Sequence, residues 1–442
     1  MIRIVAAIVL AAALPLSAQA EDLLQVFRDA RAYDAQYAAA RYALQAGQEK
    51  LPQGKALLLP TIGLSANVTD THVDLNSDNP AQLPSYTRGF RTDGYALNLS
   101  QPIYRKQSFL QYDEAGYQVK QAEATFGQAV QDLIVRTAQA YFDVLAAQDS
   151  LTLVRAQKAA ISEQLAQAKR NFEVGTATIT DTHEAQARYD LVVAQEIAAQ
   201  SDLENKRSAL RQVTGKEYSH LAPLRKDVKL SLPDPNDAKS WVDLAEKQSY
   251  PVQIQQATTE IANLEMKRNT AGHYPTLDLV ASYGRTDQTG STLTAVGSNV
   301  TQTAVGLQLA LPLYQGGAIS SREREAAANY EKARQDLENA KRGAALAARQ
   351  AYLGVVNGVA QVGALEQALV SSQSALDSNK LGYEVGVRIN IDVLNAQQQL
   401  YSTERDLAVA RYNTITTQLK LKAAAGSLSE ADLEQVNLAL QP

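Results

Sequence analysis

Two long stretches of this chain repeat one another, and that repetition limits the folds open to it. "FEVG" begins at Phe172 and "YEVG" at Tyr383; "AYFDVL" begins at Ala140 and "AYLGVV" at Ala351. Both pairs share one offset of 211 residues. "SQPIYR" from Ser100 is echoed by "ALPLYQ" from Ala310, and "LLPTIGLSA" from Leu58 by "HYPTLDLVA" from His273. This period is far longer than that of a solenoid, so it reads as two copies of one large unit.

Each copy runs in the same order. A shortish helix is expected over Asp22–Lys50 and again over Ser240–Thr270, the second interrupted near Pro251. Two strands follow, then a very long helix over Arg105–Phe172 or Ser321–Tyr383. After a glycine turn, another helix covers Asp181–Thr214 or Asp392–Ala425. In the first long helix, Leu133, Thr137, Ala140, Val144, Ala147, Leu151, Val154, Lys158, Ile161, Leu165, Ala168 and Phe172 alternate steps of four and three, which is a coiled-coil seam. At about 1.5 Å per residue each long helix spans roughly 100 Å, matched by the two shorter helices of its copy laid end to end. The pattern predicts paired rods, with the glycine turn at one end and the strands at the other. The expected divisions are a first repeat over 21–222, a connector over 223–239 that includes "LRKDVKLSLPDPND", a second repeat over 240–425 and a tail over 426–442 beside the connector.

The strand segments alternate strictly. Ile62, Leu64, Ala66 and Val68 oppose Thr61, Gly63, Ser65 and Asn67. Tyr95, Leu97 and Leu99, then Leu277, Leu279, Ala281 and Tyr283, then Val305, Leu307, Leu309 and Leu311 give three more apolar faces. Their lengths suit membrane β-strands, and Tyr86, Phe90, Tyr104, Tyr274 and Tyr314 stand near the ends, where aromatic girdles form. The competing reading is a half-buried sheet on its own helices. Four strands cannot close a barrel, and lipid tolerates no open edge, so a membrane sheet here requires oligomerisation. Eight, twelve or sixteen strands all satisfy that argument.

Arg3, the apolar run "IVAAIVLAAALPL" and "AQA" ending at Ala20 form an export signal over residues 1–20, so the mature chain is expected to start at Glu21. No Cys follows, and the 442 residues contain none, which excludes disulfides, thiol catalysis and Cys-bound zinc. No later stretch is expected to reach the roughly 18–20 apolar residues of a spanning helix. A net charge of −5 offers no basic surface for nucleic acid. His72, His183, His220 and His273 have no metal spacing, and Gly316–Gly317 lacks the Lys of a phosphate loop. No enzyme, metal or cofactor is expected.

The duplicated unit, "QPIY", "LPLYQGG", "FEVGTATITD" and "YEVGVRINIDVLNA" resemble the TolC-type outer-membrane channel-tunnel family over essentially the whole mature chain. The missing lipid-attachment Cys makes it more similar to the secretion-type branch than to the lipoprotein efflux branch. The resemblance implies an α+β membrane protein that acts as a homotrimer in the Gram-negative outer membrane. It implies a twelve-stranded barrel and a twelve-helix periplasmic tunnel. A periplasmic membrane-fusion adaptor and an ABC or proton-driven inner-membrane transporter are the implied partners. The implied cargo is type I secreted protein or toxic small molecules. The alternative is an exported structural coiled-coil protein with a small oligomerisation sheet.

Gly175 and Gly386 fit helix-ending left-handed positions. Asp181, with Glu184 three residues on, suits a capping box, and Asp392 an N-cap. Arg388 is needed by neither cap. The resemblance gives Tyr383, Arg388 and Asp392 the positions of periplasmic gate residues, with Thr180 and Asp181 in the corresponding place of the first copy. Some relatives carry a second acidic residue where this chain has Asn395.

Overall fold

A computed structural model describes residues 21–78, 81, 84–225 and 227–441. The expected export signal lies outside the described residues. The elements in chain order are α1 (Leu23–Tyr33), α2 (Ala35–Gln48), α3 (Lys50–Ala56), β1 (Thr61–Leu75), β2 (Tyr86–Tyr104), α4 (Lys106–Glu173), α5 (Ile179–Thr214), α6 (Ala238–Gln248), α7 (Tyr250–Thr270), β3 (Thr276–Gln288), β4 (Ser298–Ala310), α8 (Ala318–Glu384), α9 (Asn390–Ala424) and α10 (Glu430–Asn437). They divide into two compact units. One comprises residues up to Ala40, Gly127–Tyr250 and Lys341 onward; the other comprises Arg41–Phe126 and Pro251–Ala340.

The second unit holds the sheet, which is antiparallel throughout in the order β1-β2-β3-β4. Its register aligns Ile62 with Leu99, Ala281 and Val305, and Leu64 with Leu97, Tyr283 and Thr303. One residue along, Gly63 aligns with Asn98, Ser282 and Ala304, so one face is apolar and the other small and polar. The apolar face is uncovered: Leu64, Val305 and Leu309 are each at least 70% exposed. A contiguous apolar surface of this kind marks contact with lipid or protein. Among the described residues, the sheet order leaves one side of β1 and one side of β4 without a strand partner.

The strands run further than their apolar pattern. β1 continues to Leu75 and β2 begins at Tyr86, beyond the alternating apolar residues that marked the strands. The ladder needs only backbone groups, and charge pairing supports the extension: Asp70 lies opposite Arg91. Below the sheet, Arg105 donates two bonds of 2.7 Å to Asp278, a carboxylate that is itself buried, tying the end of β2 to β3. The first helix of the chain is broken where one rod was expected. Asp34 takes an extended conformation, accepts from the Tyr37 amide at 2.7 Å to start α2, and holds Arg136 at 3.0 and 3.1 Å. In the second copy the break falls at Ser249, and Pro251 sits in the first turn of α7, where its missing N–H costs nothing.

In the first unit the seam expected on α4 is buried at Leu133, Thr137, Val144, Ala147, Leu151, Ile161, Leu165 and Ala168. Each buried leucine or isoleucine contributes about 1.5–3 kcal/mol. The seam ends at Phe172, which is exposed. α8 contains a stretch that meets the length and composition of a membrane span, where none was expected. Only 11% of that stretch is buried, and its Val355 packs with Trp241, Leu421 and Ala425. Connector and tail pair with each other: Leu224 bridges Leu440, and the Gln441 amide donates to the Pro223 carbonyl.

Candidate functional site

The two glycine turns lie in the first unit and have one construction. In the first, Gly175 N–H donates to the Phe172 carbonyl and Thr176 N–H to the Asn171 carbonyl. In the second, Gly386 N–H donates to Tyr383 and Val387 N–H to Gly382. Each is a Schellman end, with Gly175 at φ 77° and Gly386 at φ 78°. A side chain at either position would be strained by the left-handed backbone.

The helices that leave the turns start differently from expectation. Thr178, rather than Asp181, is the N-cap of α5, and Asp181 is the third residue of a capping box. Its carboxylate accepts from the Thr178 amide at 3.0 Å and the Thr178 hydroxyl at 2.8 Å. The helix begins two residues earlier because a threonine with extended backbone can cap it there. In the second copy Ile389 occupies the cap and has no side chain to offer. Asp392 therefore stands in the place of Asp181 without a cap to close, and Arg388 lies 3.6 Å from it. That asymmetry frees one carboxylate per chain for a charge pair.

Three substitutions between the copies build the second turn. Asn171 corresponds to Gly382, Phe172 to Tyr383 and Ala177 to Arg388. The Arg388 side chain lies across Gly382: a Cβ at 382 would sit 2.7 Å from the Arg388 Cγ. Asn171 in turn donates to the Tyr383 hydroxyl at 3.2 Å, linking the two turns. The Tyr383 ring packs beside the cluster of Leu376, Val393 and Leu400. Thr180 is exposed on the first turn of α5. Of the five expected residues, the chain brings together Arg388 with Asp392, while Tyr383 meets Asn171 and Asp181 serves its own helix.

Sequence reasoning missed several contributors. Asn171 and Gly382 were detectable only by aligning the copies. Gln164 donates to Asn390 at 2.5 Å in a buried position between α4 and α9. Among the described residues, the Asn390 Nδ2 and, seven residues on, the Gln397 Oε1 are buried without a hydrogen-bond partner. Each such orphan costs about 1–3 kcal/mol, so the packing here is weaker than the apolar seam above it. From α5, Arg188 donates to Asn395 at 2.8 Å and also to Gln398. Val174, Val385, Val387 and Ile389 are exposed around the turns. The hydroxyl–carboxylate pair at these turns, Thr178 with Asp181, closes a helix cap, and the remaining contacts hold helix ends together.

The sequence profile described as "Outer membrane efflux protein" matches residues 26–216 and 241–427. The chain is similar to the outer membrane protein TolC of Vibrio cholerae, at 35% identity over 96% of this chain and 94% of that protein. It is also similar to the proteases secretion protein PrtF of Dickeya chrysanthemi, at 33% identity over 95% and 91% of the two chains. Among solved structures, the Campylobacter jejuni CmeC outer membrane channel superposes with a TM-score of 0.80 at 18% identity, covering 95% of this chain and 90% of that one.

Proposed function

The chain belongs to the outer membrane efflux protein family, and on that premise we propose that it is an outer-membrane channel of Gram-negative bacteria for type I protein secretion and efflux. The observation that carries this reading is the sheet: an uncovered apolar face with two unpaired edges. The hydrocarbon of a membrane accepts no such edge, so in the outer membrane copies of the chain close it. Three copies give a twelve-stranded barrel with a small, polar inner face. Their long helices give a twelve-helix tunnel.

In this trimer Tyr383, Arg388, Asp392, Thr180 and Asp181 act at a gate where the helices turn, and Gly175 and Gly386 shape the turns. The bonds are exposed and individually modest, about 0–1 kcal/mol each, so the closed state can be released. A periplasmic adaptor that competes for the turns opens the gate, and an inner-membrane transporter supplies cargo and energy. The inner face is small and polar where Gly63, Asn98, Ser282 and Ala304 align, which suits passage without recognition. The protein acts as a conduit, not as a catalyst.

The test is fractionation. Outer membranes from producing cells should yield a trimer that dissociates only on heating, and cross-linking in cells should capture an adaptor with it. Recovery of the chain wholly in the soluble periplasm would end this reading and leave the exported coiled-coil protein.

A further inference from the structure

Arg188 lies outside the turn motifs and corresponds to Gln399 in the second copy. It is half-buried on α5, one turn from Ala185 and Val192, which are buried in a cluster with Leu394 of α9. That packing fixes the spacing of α5 and α9. Across it the Arg188 guanidinium donates from Nη2 to Asn395 Oδ1 at 2.8 Å and from Nη1 to Gln398 Oε1. The two acceptors are three residues apart and therefore stand on one face of α9. A planar fork with two donors suits two acceptors so placed, and lysine cannot reproduce it.

We infer that Arg188 is a second latch residue, one that ties the first hairpin to the second and holds the opening turns of α9 one helical turn beyond the Arg388–Asp392 pair. This rests on the proposed gate and goes beyond it. Arg388 acts within its own turn, four residues from Asp392. Arg188 acts between hairpins, so opening of α9 away from α5 must break its bonds. It also explains Asn395. A carboxylate there would pair with Arg188 and cancel its charge. The amide accepts the same bond and leaves the positive charge intact beside Asp392, three residues earlier. Arg188 is a positioning residue through Asn395 and Gln398, and it sets the charge of the mouth.

The experiment uses the purified full-length oligomer in planar bilayers, with heat-resistant migration as the check on assembly. Arg188→Ala, the pair Asn395→Ala with Gln398→Ala, and all three changes together are compared with wild type. An exposed charge-assisted bond of about 0.5 kcal/mol is worth a factor of about two in an equilibrium, so three protomers give roughly tenfold more time-averaged conductance. The expected result is that all three variants rise by the same factor, because one tether is lost in each. The two variants that lack Arg188 should also shift the reversal potential toward cations, and the Asn395→Ala, Gln398→Ala pair should not, a split that simple loosening would not produce. Additive increases, or no increase, overturn the inference. Tyr383→Phe with Arg388→Ser serves as control: if it opens the channel and Arg188→Ala does not, the gate stands and this inference fails. If neither opens it, both fail. If Arg188→Ala opens it and the control does not, Arg188 stands and the roles of Tyr383 and Arg388 fall.

Discussion

Replacing Gly382 by alanine sets two local effects against each other. Gly382 lies inside α8, where alanine favours the helix by about 0.5–1 kcal/mol. The new Cβ would meet the Arg388 Cγ at 2.7 Å and its Cβ at 3.3 Å. Those atoms are at the root of the side chain, so the tip cannot absorb the clash and Arg388 must change rotamer. Its 3.6 Å approach to Asp392 is then lost. At an exposed site that pair is worth about 0.2–1 kcal/mol. Three pairs in the proposed trimer sum to roughly 1.5 kcal/mol, about a tenfold shift from closed toward open. The prediction is a channel that conducts about tenfold more on time average while its melting temperature holds or rises. Planar-bilayer recording gives the first quantity and a heating series of the oligomer band the second. Unchanged conductance in an intact oligomer would refute the reasoning, because Arg388 would then not be the latch. Raised conductance with a lowered melting temperature would refute it too, since general loosening would explain both.

Other predictions follow from the same geometry. Burial raises the Asp149 pKa, and the 2.6 Å bond from the Tyr412 hydroxyl only partly offsets this. A raised carboxyl pKa means the fold favours the protonated form, so a penalty is absent at low pH and complete above the folded-state pKa. Asp149→Asn should therefore raise the melting temperature at neutral pH by about 1–3 °C, a gain that shrinks as pH falls into the free-carboxylate range; a gain constant with pH would contradict it. Arg105→Gln strands the buried Asp278 carboxylate and should lower the urea midpoint by the equivalent of about 2–4 kcal/mol, with Asp278→Asn added to it restoring most of the loss. Asp392→Ala should weaken cation preference and block by multivalent cations, read as a reversal potential displaced toward zero. Identical potentials would remove Asp392 from the conducting path.

The parts legible in the sequence are those with a strong local code. The glycine turns announced themselves through "EVG" in both copies, because a left-handed residue at a helix end calls for glycine. Most of the seam on α4 down to Ala168 was legible because spacing alone defines it, although Ala140, Val154 and Lys158 are only half-buried. Strand length was not, since backbone pairing past Val68 and up from Tyr86 proceeds without apolar side chains. The caps were misplaced by one element of register: Asp181 and Thr178 both qualify, and only the backbone decides which leads. Partners of the site were hidden by distance along the chain. Arg188 and Asn395 lie 207 residues apart, and nothing local marks an arginine on a polar helix face as a tether. The Arg388–Gly382 contact could be suspected only from the copy alignment, where an asparagine gives way to glycine just as an alanine gives way to arginine.

The central claim is that this chain forms a conduit shut where its helices turn. Its most direct test is single-channel conductance of the purified oligomer, wild type against Tyr383→Phe with Arg388→Ser. The wild type should show a small, mostly closed conductance and the variant a several-fold larger, stably open one, with both migrating as heat-resistant oligomers. Equal conductances in two correctly assembled oligomers would contradict it.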